Sequence, residues 1–296
     1  MLKGSLLVLL GGVFWGFSGV CGQYLFDVKG LNAHFLVPYR LFLAGLLCLG
    51  LCLIKSPNKG DLLLVFRHKK DRIRLLLFAI FGISLCQYTY FWGIELSNAA
   101  VATVIQYTGP VFVVLAVCIL EKKMPSKIEA LALFLVSVGT LLMATGGDFT
   151  RLLISPKALI ICFISALALV CYTMLPVRIN ARYGAVENLS WAMLIGSVIL
   201  GLWVLFAHGA QTFFTSLDLG IILAMLGVVV LGTAGAFSLF MLGLAIVGPS
   251  RASILSCIEP VACAAISFAW LGTKLGSIEL AGFFAIILAT VILVKK

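Results

Sequence analysis

The chain has 296 residues, 62% of them hydrophobic and 11% charged, with a mean hydropathy of +1.19 and a formal net charge of +10. A soluble domain of this length cannot hide so much apolar surface, which excludes an ordinary globular protein. The apolar runs are long enough to cross a bilayer, which takes about 20 residues each.

Ten such runs are predicted, at 4–26, 33–54, 73–94, 97–120, 125–145, 157–177, 186–207, 218–242, 249–270 and 276–294. The first run is too long for a cleaved leader and lacks a small-residue cleavage site after Lys3. It carries Gly12, Gly16, Gly19 and Gly22 at steps of three and four, a small-residue face that lets helices approach closely in lipid. Trp15 sits among them, too deep for an interfacial aromatic. The second run holds Arg40 two residues after Pro38, placed near the outer end of the span. There it is either a counter-ion for a substrate carboxylate or a side chain snorkelling to the headgroups. The short run Leu62 to Phe66 cannot span and is assigned to the interface.

In the third run Tyr88, Trp92 and Glu95 share one face, with Gln87 adjacent; Tyr172 lies deep in the sixth. The fourth run has Thr103, Gln106, Tyr107 and Pro110 on one stripe, and the ninth has Ser253, Ser256, Cys257 and Pro260. A proline in a spanning helix leaves the carbonyl four residues earlier without its donor. Gln106 and Ser256 occupy those positions. A pocket built from Trp15, Tyr88, Gln106, Tyr107, Tyr172 and Ser256 suits a small amphiphilic solute, and it is expected between the third, fourth, sixth, eighth and ninth helices. Glu259 is the carboxylate nearest the middle of a span, where ionisation costs about 2.5–3.5 kcal/mol or more. It either binds a substrate ammonium, exchanges a proton, pairs with Arg40 or Arg251, or ties down the helix break beside Pro260.

Two segments repeat. Pro110 and Pro260, Glu129 and Glu279, and Thr140 and Thr290 are each 150 residues apart. Glu129 and Glu279 open helices, where a carboxylate favours the positive end of the dipole. Five spans per copy is an odd number, so the copies enter the membrane in opposite senses. The predicted fold is an all-α polytopic membrane protein, ten transmembrane helices as two inverted five-helix repeats. The first repeat is 1–147, the inter-repeat loop 148–156 and the second repeat 157–296. Fifteen basic residues fall on one side: Lys3, Lys55, Lys59, Arg67, Lys69, Lys70, Arg72, Arg74, Lys122, Lys123, Lys127, Arg178, Arg182, Lys295 and Lys296. Lys29, Arg151, Lys157 and Lys274 fall on the other, so both termini are expected in the cytoplasm.

The basic charge therefore reports topology and contact with anionic lipid rather than nucleic acid. The nine cysteines all lie in predicted spans and read as apolar packing. The three histidines form no metal-ligand pair, and no phosphate-binding loop of the Walker type occurs, so neither metal, cofactor nor ATP is expected. A secondary carrier follows, either a facilitator or a proton-linked antiporter, and two repeats in one chain are compatible with a monomer. A membrane-embedded enzyme needs a cluster of catalytic acids or a metal set, and a channel needs a filter or rings of charge; the sequence supplies neither.

The stretches Gly11-Gly-Val-Phe-Trp15-Gly-Phe-Ser, Tyr90-Phe-Trp-Gly-Ile-Glu-Leu-Ser-Asn-Ala-Ala and Gln106-Tyr-Thr-Gly-Pro110 resemble the first half of EamA-type proteins of the drug/metabolite transporter superfamily. Gly232-Thr-Ala-Gly-Ala-Phe, Ala252-Ser-Ile-Leu-Ser-Cys-Ile-Glu259-Pro260 and Trp270-Leu-Gly are similar to its eighth and ninth helices. The resemblance covers the whole chain. It implies a central cavity across the cytoplasmic membrane and transport of amino acids or related metabolites, often outward; drugs, nucleosides or nucleotide sugars are the alternative cargo. Where the family commonly has an acid after the Leu-Gly of the ninth helix, this chain has Thr273, whereas the first copy keeps Glu121.

Overall fold

The computed structural model describes residues 1–55, 62–97, 99–152, 155–214, 216, 218–271 and 276–295. Lys59, Lys274 and Lys296, Asn98 and the Thr273 departure lie outside them. Among the described residues all regular structure is helical, and nine helices are long and apolar enough to cross a membrane.

Span 1 is Leu2–Asp27, span 2 Ala33–Lys55, span 3 Lys69–Leu96, span 5 Lys127–Thr145 and span 6 Pro156–Tyr183. Span 7 is Ala185–His208, span 8 Leu219–Val247 and span 10 Ser277–Val294. Span 4 is broken into Ala99–Gln106 and Gly109–Glu121. Span 9 is broken into Pro249–Leu255, a 3-10 turn at Ser256–Ile258 and Glu259–Leu271. All ten expected runs are thus helical. Spans 3 and 6 extend past their apolar runs, through Asp71 to Arg74 and through Arg178 to Arg182. A helix satisfies its own backbone in water as well as in lipid, so a change of polarity alone does not end it.

The breaks in spans 4 and 9 follow from their prolines. Pro110 and Pro260 lack an N–H, and each sits in the first turn of the helix that restarts after the break. Spans 3 and 8 carry a second irregularity that hydropathy does not reveal, a π-helical segment at Phe78–Ser84 and at Gly227–Gly235. Each wide turn is closed by a hydroxyl. Ser84 Oγ donates to the Ala79 carbonyl at 2.9 Å, and Thr233 Oγ1 to the Val228 carbonyl at 2.7 Å.

The packing shows the duplication. Span 1 lies on spans 8 and 9, and span 6 on spans 3 and 4. Span 2 pairs with 7, 4 with 9 and 5 with 10. Exchanging the halves maps this set onto itself, as a pseudo-two-fold axis requires. Spans 5 and 10 start alike. The Glu129 carboxylate accepts the Ser126 N–H at 2.9 Å, and Glu279 accepts the Gly276 N–H at 2.6 Å. Both acids cap their helices, and Glu129 also pairs with Arg251 at 3.5 Å. The short run at 62–66 becomes a single turn, Leu64–Arg67, fastened to span 7 by Trp191 Nε1 donating to the Leu62 carbonyl at 2.8 Å. Large apolar side chains such as Phe42, Leu46, Ile119, Phe134, Phe206 and Phe284 point outward, as a lipid-facing surface demands.

The glycine face of span 1 is a packing surface over most of its length. A Cβ on Gly16 would stand 2.8 Å from the Cys263 backbone nitrogen and 2.9 Å from the Glu259 carbonyl oxygen. Gly11 meets the Ala236 carbonyl of span 8 in the same way, at 2.9 Å. Gly16→Val is therefore expected to push span 9 away and to lower stability by roughly 1–3 kcal/mol, read as a lower melting temperature in detergent. An unchanged melting curve would show that the two helices separate at no cost. Gly19 is the exception, since a side chain there meets nothing.

Candidate functional site

The two broken spans meet at the centre of the molecule. Tyr107 stands in the break of span 4, and its hydroxyl donates across to span 9, to Glu259 Oε2 at 2.7 Å and to the Ser256 carbonyl at 3.2 Å. The Ser256 carbonyl is the one that Pro260 deprives of its α-helical donor; it takes the Glu259 N–H in a 3-10 turn instead, and a tyrosine of the other half supplies a second donor. Tyr90 of span 3 donates to Glu259 Oε1 at 3.4 Å and exchanges a hydrogen bond with Thr103 at 2.9 Å. Gln106 Nε2 donates to Ser165 Oγ of span 6 at 2.7 Å.

Around these groups lies a cavity of about 50 Å³, enough for a few waters and too small for a metabolite. Trp15, Arg40, Gln106, Tyr107, Tyr172, Ser256 and Glu259 all line it. Seven of the eight residues singled out from sequence are thus brought together. Tyr88 is not among them. Residues 87, 90 and 91 of span 3 face the cavity, whereas the Tyr88 and Trp92 face turns toward the ends of spans 2 and 7. There the Tyr88 hydroxyl bonds His34 Nδ1 at 2.6 Å, and the His34 ring stacks on His208 at 3.9 Å.

Several expectations need correction. Arg40 does not snorkel. It is 1% exposed, its Nε donates to Thr233 Oγ1 at 3.1 Å, and its guanidinium lies 4.5 Å over the Phe91 ring. A long side chain near a span end bends either way, and here the π segment of span 8 presents an acceptor inside. Glu259 does not pair with Arg251, which is committed to Glu129. Nor does its side chain hold the backbone of its own break; the carboxylate accepts the two tyrosine hydroxyls of the first half. Span 8 contributes no lining residue among those described, while spans 1 and 2 do. Span 8 acts from behind, through Thr233 on Arg40 and through Phe237 and Phe240 against Trp15, with ring centroids 5.1 and 5.2 Å away.

Tyr90 and Ser18 also line the cavity, and Thr233 holds Arg40 from behind it. Gln87, Tyr90 and Phe91 share a helix face at steps of three and four, but the sequence alone does not rank it above the Tyr88 and Trp92 face. Thr233 could not be found without the π segment that turns it inward.

On the side of the first inter-span loop, Lys29 Nζ and Asp218 Oδ2 are 2.7 Å apart. Hydrogen bonding to Lys29, and then to the Ile221 N–H, holds the Asp218 carboxyl below its usual range. The same bond raises the Lys29 ammonium. Exposure keeps this link weak.

The sequence pattern of the EamA-like transporter family matches residues 2–145 and again residues 156–295. A protein of Salmonella typhimurium described as the uncharacterized inner membrane transporter YicL is 36% identical over 293 residues, covering 99% of this chain and 95% of that protein. One solved crystal structure superposes with a TM-score of 0.80 over 98% of this chain and 95% of its own; at 14% identity that likeness concerns the fold alone.

Proposed function

Because the chain belongs to the EamA-like transporter family, a multi-pass membrane transporter of the drug/metabolite superfamily, we propose that it is a secondary carrier of small metabolites. Amino acids and related amphiphilic solutes are the first cargo to test, moved outward across the cytoplasmic membrane by alternating access. The halves 1–147 and 157–296, joined by 148–156, rock about the central cavity, with both termini in the cytoplasm. Glu259 is the candidate proton site, and one chain carries all the cavity groups, which supports a monomer as the working unit.

The observation that carries this reading is the meeting of two proline-broken helices at a buried cavity holding one guanidinium and one carboxylate. Intramembrane ionisable groups face a solute path far more often than they pack passively. In the test, proteoliposomes bearing the purified chain are loaded with a bacterial small-molecule extract, and the solutes released are identified by mass spectrometry. A saturable loss of specific solutes, absent from protein-free vesicles, is expected. Release of nothing would end the carrier reading, and a flux that never saturates would make the chain a channel.

Orientation has its own test. A thiol introduced at His208 is expected to react with a membrane-impermeant maleimide added outside intact cells, and one at Lys69 to be protected. The reverse pattern would overturn the cytoplasmic placement of the termini.

A further inference from the structure

Four buried polar groups around the central cavity have no hydrogen-bond partner among the described residues: Arg40 Nη1, Trp15 Nε1 and the hydroxyls of Ser18 and Tyr172. The arginine and tryptophan nitrogens can only donate. The acceptors are in the opposite condition. Both Glu259 oxygens and the Ser256 carbonyl already receive tyrosine hydroxyls. Two of the four unpartnered groups, on Arg40 and Trp15, can be satisfied only by an acceptor.

Arg40 is the centre of this imbalance. Its Nε is held by Thr233, whose own proton goes to the Val228 carbonyl within the π segment, and its face rests on Phe91. The head is therefore fixed, with the Nη1 edge unfilled. A guanidinium buried with an open edge is costly, and a planar carboxylate is the group that completes it.

We infer that the cavity selects an organic monocarboxylate, with Arg40 as its counter-ion and Thr233 as the residue that positions Arg40. This rests on the carrier reading above and narrows the cargo of that same site from amino acids to carboxylates that carry no ammonium. Charge decides between the alternatives. Arg40 is the one cation lining the cavity among the described residues, so it matches one negative charge on the solute. A phosphate or dicarboxylate would bring two negative charges to a single cation. An ammonium would meet Arg40 as a like charge. The rings of Trp15, Phe91 and Tyr172 suit an apolar body behind the carboxylate.

The test uses three probes of one shape: phenylacetate, phenethylamine and phenylalanine. Each is titrated against the thermal unfolding of the full chain in nanodiscs. Phenylacetate is expected to raise the melting temperature and phenethylamine to leave it unchanged. Arg40→Gln should weaken phenylacetate roughly tenfold or more. Glu259→Gln removes a like charge and should tighten it. Thr233→Val should weaken it and Thr233→Ser restore it, which separates positioning of Arg40 from plain packing. If Arg40→Gln does not fold, the probe ranking and the Glu259→Gln shift decide alone. Stabilisation by phenethylamine, phenylalanine binding that Glu259→Gln weakens, or no response to phenylacetate would each overturn the inference. The carrier reading fails separately, by extract-loaded vesicles releasing nothing; vesicles that release only amines, zwitterions or uncharged solutes would refute the carboxylate assignment and leave the carrier standing.

Discussion

Tyr107→Phe is expected to lower the transport rate by roughly ten- to a hundredfold, while helical content and membrane insertion stay unchanged. The substitution keeps the ring that packs in the break of span 4 and removes one oxygen. That oxygen makes two contacts to the other half, at 2.7 Å to Glu259 and at 3.2 Å to the Ser256 carbonyl. Each acceptor left short of a donor in a buried site costs about 1–3 kcal/mol. The loss falls where the two broken helices touch, so the equilibrium between the cavity's two openings is disturbed more than the fold. Counterflow of the solutes found in vesicle release measures it. Gln106→Ala, which removes the Nε2 donor from Ser165 Oγ of span 6, is expected to weaken transport less, because the Ser165 hydroxyl keeps its own bond to the Cys86 carbonyl of span 3. Wild-type kinetics in both variants would move the solute path away from the breaks.

Glu259→Gln is expected to keep exchange of solute across the membrane and to lose accumulation against a gradient. The carboxylate shares the cavity with Arg40 and is held by Tyr90 and Tyr107, so a proton arriving there alters the charge balance at the centre of the molecule. Glutamine preserves the shape and one acceptor and cannot exchange a proton. Vesicles with an imposed proton gradient separate the outcomes: exchange without pumping supports proton carriage by Glu259. Pumping that persists in a well-folded Glu259→Gln protein would assign the coupling elsewhere and leave Glu259 as the structural tie between the two breaks.

Much of this molecule is legible without coordinates. Apolar runs of membrane length can be satisfied in lipid only as helices, so the number and order of the spans follow from hydropathy. A constant offset of 150 residues between prolines and capping acids shows the duplication, and an odd number of spans per copy makes the repeat inverted. Most cavity residues could be named as well, because polar side chains beside a proline in a span have few other reasons to be there.

Tertiary structure decided what lies on which face and who satisfies whom. Hydropathy cannot tell the Tyr88 face of span 3 from the Tyr90 face, since both are aromatic and only neighbouring helices choose between them. It cannot see the π segments of spans 3 and 8, because a wider turn changes which carbonyl a hydroxyl reaches without changing composition. The inward turn of Arg40 is the consequence: its direction depends on Thr233, 193 residues away in sequence. The donors to Glu259 likewise come from spans 3 and 4 across the pseudo-two-fold axis. A chain lists its donors and acceptors in order, but a buried polar group is satisfied by whichever neighbour packing brings within about 3 Å, and that pairing exists only once the two halves are folded against each other.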